Sequence, residues 1–317
     1  MNLLSLPMAA LAWLGRQGTR ALAVSIFLGL AVAPLAAYVK PYLGASVFVL
    51  LLLSYLRTDP AAFVRIVRAP RLALVGTLWI MVALPLLFGT AYWLSGIRDT
   101  VPALYMILIL QCIMAPITSS VAFAAMLGLD VALALVTLIA SSALTPITTV
   151  GLSYLFLGTS LISPLELGGK LFLLFAISGA LALVLRRIFG QSRIEAHKES
   201  IDGMTVIATF VFAIAAMNGV TDHVIAAPLL SLGIFGLSIA VSAAFIVLTV
   251  LVFIRAGLDR ALVIGLLAGF RNVGVLMAAL GPSVPELAWF YFAVSQFPIY
   301  LLPMLLKPLA RRFQQRR

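Results

Sequence analysis

Charge is scarce in this sequence: only 10% of its 317 residues are charged, histidine occurs twice and cysteine once. A single cysteine, Cys112, excludes an internal disulfide, and His197 and His223 alone cannot complete a structural zinc site. No acidic residue lies deep in an apolar run, so a buried proton carrier is missing. The same lack leaves an intramembrane enzyme without paired acids, a nucleophile with its base, or a metal set, so neither catalysis nor a cofactor is expected. The net charge of +11 does not point to nucleic acid, because the basic residues form no stripe interleaved with aromatics.

What is abundant is apolar surface. Hydrophobic residues make up 63% of the chain and the mean hydropathy is +1.18, more than one aqueous core could hide. The apolar runs are mostly near the length with which an α-helix crosses about 30 Å of hydrocarbon. An all-α polytopic membrane protein follows, with ten spans: Thr19 to Val39, Tyr42 to Leu56, Leu72 to Leu94, Val101 to Leu127, Val131 to Leu157, Leu167 to Leu185, Met204 to Val220, Ile225 to Ile254, Ala261 to Leu280 and Leu287 to Leu306. Residues 1–18 read as an interfacial segment with Trp13 at headgroup level, and the absence of a basic residue ahead of its apolar stretch argues against a cleaved signal.

With both termini in the cytoplasm, the inner segments hold Arg16 and Arg20, the group from Arg57 to Arg71, the group from Arg186 to Lys198, Arg255 and Arg260, and the basic tail at 309–317 with Lys307 before it. The outer segments hold only Lys40, Arg98 and Lys170. This asymmetry fixes the orientation, in what reads as a bacterial inner (plasma) membrane. The longest polar stretch, Arg186 to Asp202, follows the sixth span, while the boundary between halves falls near Ser160 to Gly169. Five spans per half, 19–160 and 161–308, make the second half enter from the opposite side, an inverted repeat.

The remaining basic residue, Arg271, lies in the ninth span within Gly269-Phe270-Arg271-Asn272-Val273-Gly274. A charge at that depth costs at least about 2.5 kcal/mol, so it faces the protein interior, a cavity or a partner. In the matching fourth span, Ala115-Pro116-Ile117-Thr118-Ser119-Ser120 combines a missing backbone donor with three hydroxyls that can satisfy released carbonyls. Two interrupted helices at corresponding positions mark a transporter's site, and opposed half-helix N-termini with Arg271 favour an anion. Pro116 alone could be a kink, the hydroxyls could be helix packing, and Arg271 could be a lock on a backbone carbonyl. Read together, Arg271, Asn272, Thr118, Ser119, Ser120 and Pro116 form the candidate binding set. Thr137, Ser141, Gly269, Gly274 and Asn218 are possible cavity lining, with core packing the equal alternative for Thr137 and Ser141. Pro146 is expected to interrupt the fifth span. Asp130, after Gly128-Leu129, reads as a helix N-cap, with proton coupling the other reading. Asp222 and His223 read as solvated loop groups.

At these residues the sequence resembles the bile acid:sodium symporter superfamily over nearly its whole length. The resemblance rests on the Ala115 to Ser120 block, on Leu127-Gly128-Leu129-Asp130-Val131-Ala132-Leu133 with Leu144-Thr145-Pro146, and on Gly269 to Gly274. It implies a panel domain of spans one, two, six and seven, a core of the other six with two broken, crossing helices, and organic-anion substrates moved with sodium. This chain departs from the sodium-coupled pattern at Leu267, Arg271, Val121 and Ala134, where the family carries ion ligands. A sodium ion leaves water only for several oxygens and some negative charge. The expectation is therefore carriage of a small organic anion, a carboxylate or sulfonate, by alternating access, with Arg271 supplying permanently the charge of the ion. Weak sodium symport through Thr118, Ser119 and Ser120 is the alternative within the fold, and a transport-inactive receptor or scaffold the alternative outside it. Arsenite efflux through Cys112 has only that one thiol to support it.

Overall fold

The computed structural model describes residues 5–57, 71–159, 163–281 and 284–299, so the tail at 309–317, Arg65, Arg68, Lys307 and the end of the tenth expected span lie outside the described residues. Among the described residues there is no strand. The principal helices are α1 (Ser5–Ala31), α2 (Leu43–Arg57), α3 (Arg71–Leu94), α4 (Pro102–Ile113), α5 (Ser119–Met126), α6 (Val131–Phe156), α7 (Pro164–Phe189), α8 (Lys198–Ala216), α9 (Pro228–Phe253), α10 (Leu258–Gly269), α11 (Val273–Leu280) and α12 (residues 286–299). In hydrocarbon a backbone must satisfy its own polar groups, and the helix does so within one segment. Among the described residues, six helical stretches are long and apolar enough to cross a membrane: Pro34–Arg57, Arg71–Leu94, Val131–Phe156, Pro164–Phe189, Lys198–Ala226 and Pro228–Ala256. The protein is thus an all-α chain suited to a membrane.

Several boundaries differ from the sequence reading. Helix α1 runs unbroken through residue 18 to Ala31, and the chain turns at Val32 (φ −120°, ψ 67°), ahead of Pro34 in the first turn of the next helix. The turn expected near Lys40 is instead one 3₁₀ turn, Lys40–Tyr42, inside a continuous helical stretch; Pro41 is tolerated because it sits in the first turn. Pro146 does not interrupt α6. Its missing N–H releases one carbonyl, and the helix continues with hydroxyls of the same stretch turned back on its backbone: Ser142 Oγ donates to the Leu138 carbonyl (2.9 Å) and Thr145 Oγ1 to that of Ser141 (2.9 Å). Asp222 and His223 lie in a short helix, Val220–Ala226, and not in a loop.

The chain divides into two compact units, Met1–Asp59 with Phe172–Pro228, and Pro60–Leu171 with Leu229–Arg317. In the first, α8 packs against α1 and α2. Gly203 permits the approach of α1, since a Cβ there would stand 2.0 Å from the Leu11 carbonyl oxygen. Arg186 Nη2 donates to the carbonyls of Tyr55 (3.1 Å) and Leu56 (2.9 Å), closing the C-terminal end of α2, and Arg57 pairs with Asp202.

In the second unit α6 packs against α3, α4, α5 and α10. It starts at Asp130, whose Oδ1 accepts from Leu133 N (2.9 Å), an N-cap after the left-handed Gly128 (φ 68°). Gly269 lets α10 approach α9: a Cβ would lie 2.3 Å from Ile246 Cγ1 and 3.1 Å from the Ser242 carbonyl oxygen.

Candidate functional site

Helices α4 and α5 are two pieces of one apolar run, as are α10 and α11, and both gaps are extended. Met114 leaves α4 with φ −77° and ψ 152°, and Phe270 leaves α10 with φ −105° and ψ 98°. Pro116 cannot donate to the preceding turn, and Gly269 with Asn272 weakens the second helix where the first is broken. The two gaps lie antiparallel, with Pro116 opposite Arg271. Ile117 N donates to the Phe270 carbonyl (2.9 Å) and Asn272 N to that of Ala115 (2.8 Å), so each break satisfies backbone groups the other exposes. Phe123 and Phe270 meet edge to face beside it, 5.5 Å between centroids.

Two helices start from this crossing. Asn272 caps α11, its Oδ1 accepting from Val275 N (3.4 Å), and Gly274 is buried in the first turn. Thr118 stands at the N-cap of α5 without a side-chain cap bond and is exposed; the hydroxyls of Ser119 and Ser120 behind it are buried and have no partner. The positive ends of both half-helices therefore lie at one place.

Arg271 is 1% exposed. Its Nη1 donates to the Met114 carbonyl (2.8 Å), its Nη2 to the Ile80 carbonyl (3.1 Å), and its Nε is buried without a partner. Both acceptors have a local cause. Met114 is the residue at which α4 opens. Ile80 lies in a π-helical turn, Trp79–Ala83, within α3, where Leu84 N donates to the Trp79 carbonyl instead of to Ile80. The next residue, Pro85, has no N–H to offer, so the Ile80 carbonyl is left for the guanidinium. The Phe245 ring lies 5.5 Å from Arg271 Cζ, within cation–π range. None of the described acidic residues is buried, so the charge is met by carbonyl dipoles and one aromatic face.

Thr137 and Ser141 belong to a longer feature of α6. Thr137, Ser141, Thr145, Thr149 and Ser153 recur every fourth residue and each is 0% exposed. Apart from Thr145, their hydroxyls have no partner. At about 1.5 Å per residue such a ladder is about 24 Å long. Asn218, by contrast, belongs to the first unit, next to Gly219 (φ 76°) at the start of Val220–Ala226.

Other polar partners in the second unit escaped the sequence reading. Tyr291 Oη donates to Gln111 Oε1 (2.5 Å) and Trp79 Nε1 to Thr249 Oγ1 (2.9 Å). A glutamine inside an apolar run was the available signal for the first; nothing near Ile80 signalled a free carbonyl. Cys112 is buried in α4, four residues before Pro116.

The chain matches no family model and no curated protein sequence.

Proposed function

We propose that the protein is a ten-span, inverted-repeat carrier of small organic anions of the bile acid:sodium symporter type, working by alternating access without sodium, with Arg271 as a fixed cation at the crossing of its two broken helices. The observation that carries this reading is the placement of the guanidinium: it is buried at the crossing and held by two backbone carbonyls from separate elements, so that a positive charge is fixed where the two broken helices meet. A dissociable ion supplies charge only when bound, whereas an arginine supplies it at every pH of interest. Two half-helix N-termini and a buried cation, with no buried acid among the described residues, favour a carboxylate or sulfonate at the exposed edge of the crossing, near Thr118 and Asn272. The division of the chain also supports the reading. One compact unit contains α1, α2, most of α7 and α8, the panel segments that the resemblance implies, and the other contains the broken helices.

The test is thermal unfolding of the purified protein against organic anions, in sodium and in choline buffer, with Arg271→Gln in parallel. A carboxylate or sulfonate at a hundredfold its Kd should stabilise the wild type by about 2.7 kcal/mol in both buffers and leave the variant unmoved. Stabilisation that needs sodium overturns the fixed-cation reading and favours an ion at Ser119 and Ser120, whose hydroxyls lack partners. Anion binding without counterflow in liposomes would make the chain a receptor.

A further inference from the structure

A cavity of about 480 Å³ opens in the second unit, away from the crossing, between the first turns of α4 and α7 and the end of α11. Its walls are apolar, from Met106, Leu167, Ala279 and Leu280, while one edge carries Glu166 and Lys170. These two are one helical turn apart, and Lys170 Nζ stands 2.7 Å from Glu166 Oε1. Beyond them α7 is apolar from Leu171 to Leu185 and then meets Arg186 and Arg187. At about 1.5 Å per residue, the distance from Glu166 to Arg186 along α7 is about 30 Å, the thickness of the hydrocarbon layer. The charged edge is therefore at the depth of lipid headgroups, and the apolar walls face the depth of the acyl chains.

We propose that this cavity binds a zwitterionic aminophospholipid, with the phosphate on Lys170, the primary ammonium on Glu166 and the start of an acyl chain against Met106, Leu167 and Leu280. The charge pattern decides the headgroup. A plain anion would gain Lys170 but meet the Glu166 carboxylate beside it, whereas a headgroup with both signs replaces the existing pair by two new ones. A primary ammonium donates hydrogen bonds to a carboxylate; a trimethylated one has none to give. The volume lies within the range of small-molecule sites and suffices for a headgroup with the first methylenes of a chain. The inference depends on the chain lying in a membrane and not on transport.

Native mass spectrometry of the full-length protein, stripped of lipid in detergent, reads the site directly. Phosphatidylethanolamine, phosphatidylcholine and phosphatidylglycerol with the same acyl chains are titrated in parallel, and unliganded thermal midpoints check that each variant folds. Phosphatidylethanolamine should bind about fivefold more tightly than the other two, the size expected for one partly exposed charged pair. Glu166→Gln should abolish the preference for phosphatidylethanolamine over phosphatidylcholine and let phosphatidylglycerol, no longer opposed by a carboxylate, bind at least as tightly as either, whereas Lys170→Gln should weaken phosphatidylethanolamine and leave phosphatidylglycerol the weakest of the three. Ala103→Trp, which fills the cavity and leaves the charges, should weaken phosphatidylethanolamine binding, and the exchange Glu166→Lys with Lys170→Glu should keep the preference. Equal binding of all three lipids by the wild type, tightest binding of phosphatidylglycerol by the wild type, or a preference for phosphatidylethanolamine over phosphatidylcholine that survives Glu166→Gln overturns the proposal.

Discussion

Arg271 and Arg186 solve the same problem, each in its own unit: the guanidinium turns onto main-chain carbonyls that a helix has left without donors, Arg186 with one Nη and Arg271 with both arms of its fork. The fork geometry matters, because a lysine presents one compact ammonium on a thinner stem and cannot reach two acceptors on separate elements. Arg271→Lys should therefore lose one charge-assisted bond and lower stability by about 2 kcal/mol in chemical unfolding. Unchanged stability would mean that the two carbonyls do not hold the guanidinium. Arg271 was legible in the sequence, as the one basic residue inside an apolar run. Its partners were not, because a backbone acceptor carries no residue type. The Ile80 carbonyl becomes available only through a π-helical turn and a proline that act together, and Phe245 comes near only through the fold.

Proline alone does not decide whether a helix breaks. Pro116 and Pro146 both sit in apolar runs beside serine and threonine, yet α4 ends before the first while α6 continues through the second. At Pro116 the released groups find long-range partners, Asn272 N for Ala115 and Arg271 for Met114; at Pro146 hydroxyls of the same helix fold back on the backbone. The break was legible because Pro116 stood opposite a glycine-flanked weak point at the matching place. The continuity of α6 was not, since local back-bonding and interruption share one composition. The hydroxyl ladder was half visible, as Thr137 and Ser141. Its buried hydroxyls without partners bear a desolvation cost, so Thr149→Val, which keeps the shape and removes the oxygen, should raise stability by about 1 kcal/mol in chemical unfolding. A loss of that size would reveal a bound water that Thr149 holds.

For the whole chain, composition was enough for an all-α membrane protein, with six apolar helices long enough to cross a bilayer among the described residues. The helix break read at Lys40-Pro41 lies about eight residues earlier, at Val32, because Lys40-Pro41 has the composition of a loop, while Ala31 to Ala33 has the composition of a span. There the break depends on one non-helical residue, Val32, and apolar runs do not mark such a residue. The buried guanidinium has a last consequence, which is electrical. In the proposed cycle a monovalent anion bound beside Arg271 crosses as a neutral pair, whereas the empty carrier returns with one positive charge. A membrane voltage then acts on the empty step alone, with about 2.3 kcal/mol per 100 mV if the charge crosses the whole field. Anion-for-anion exchange in liposomes should not respond to an imposed potassium diffusion potential, while net flux should, with an inside-negative voltage drawing the empty site inward and favouring export. Exchange that speeds or slows with voltage would mean that the loaded carrier is charged.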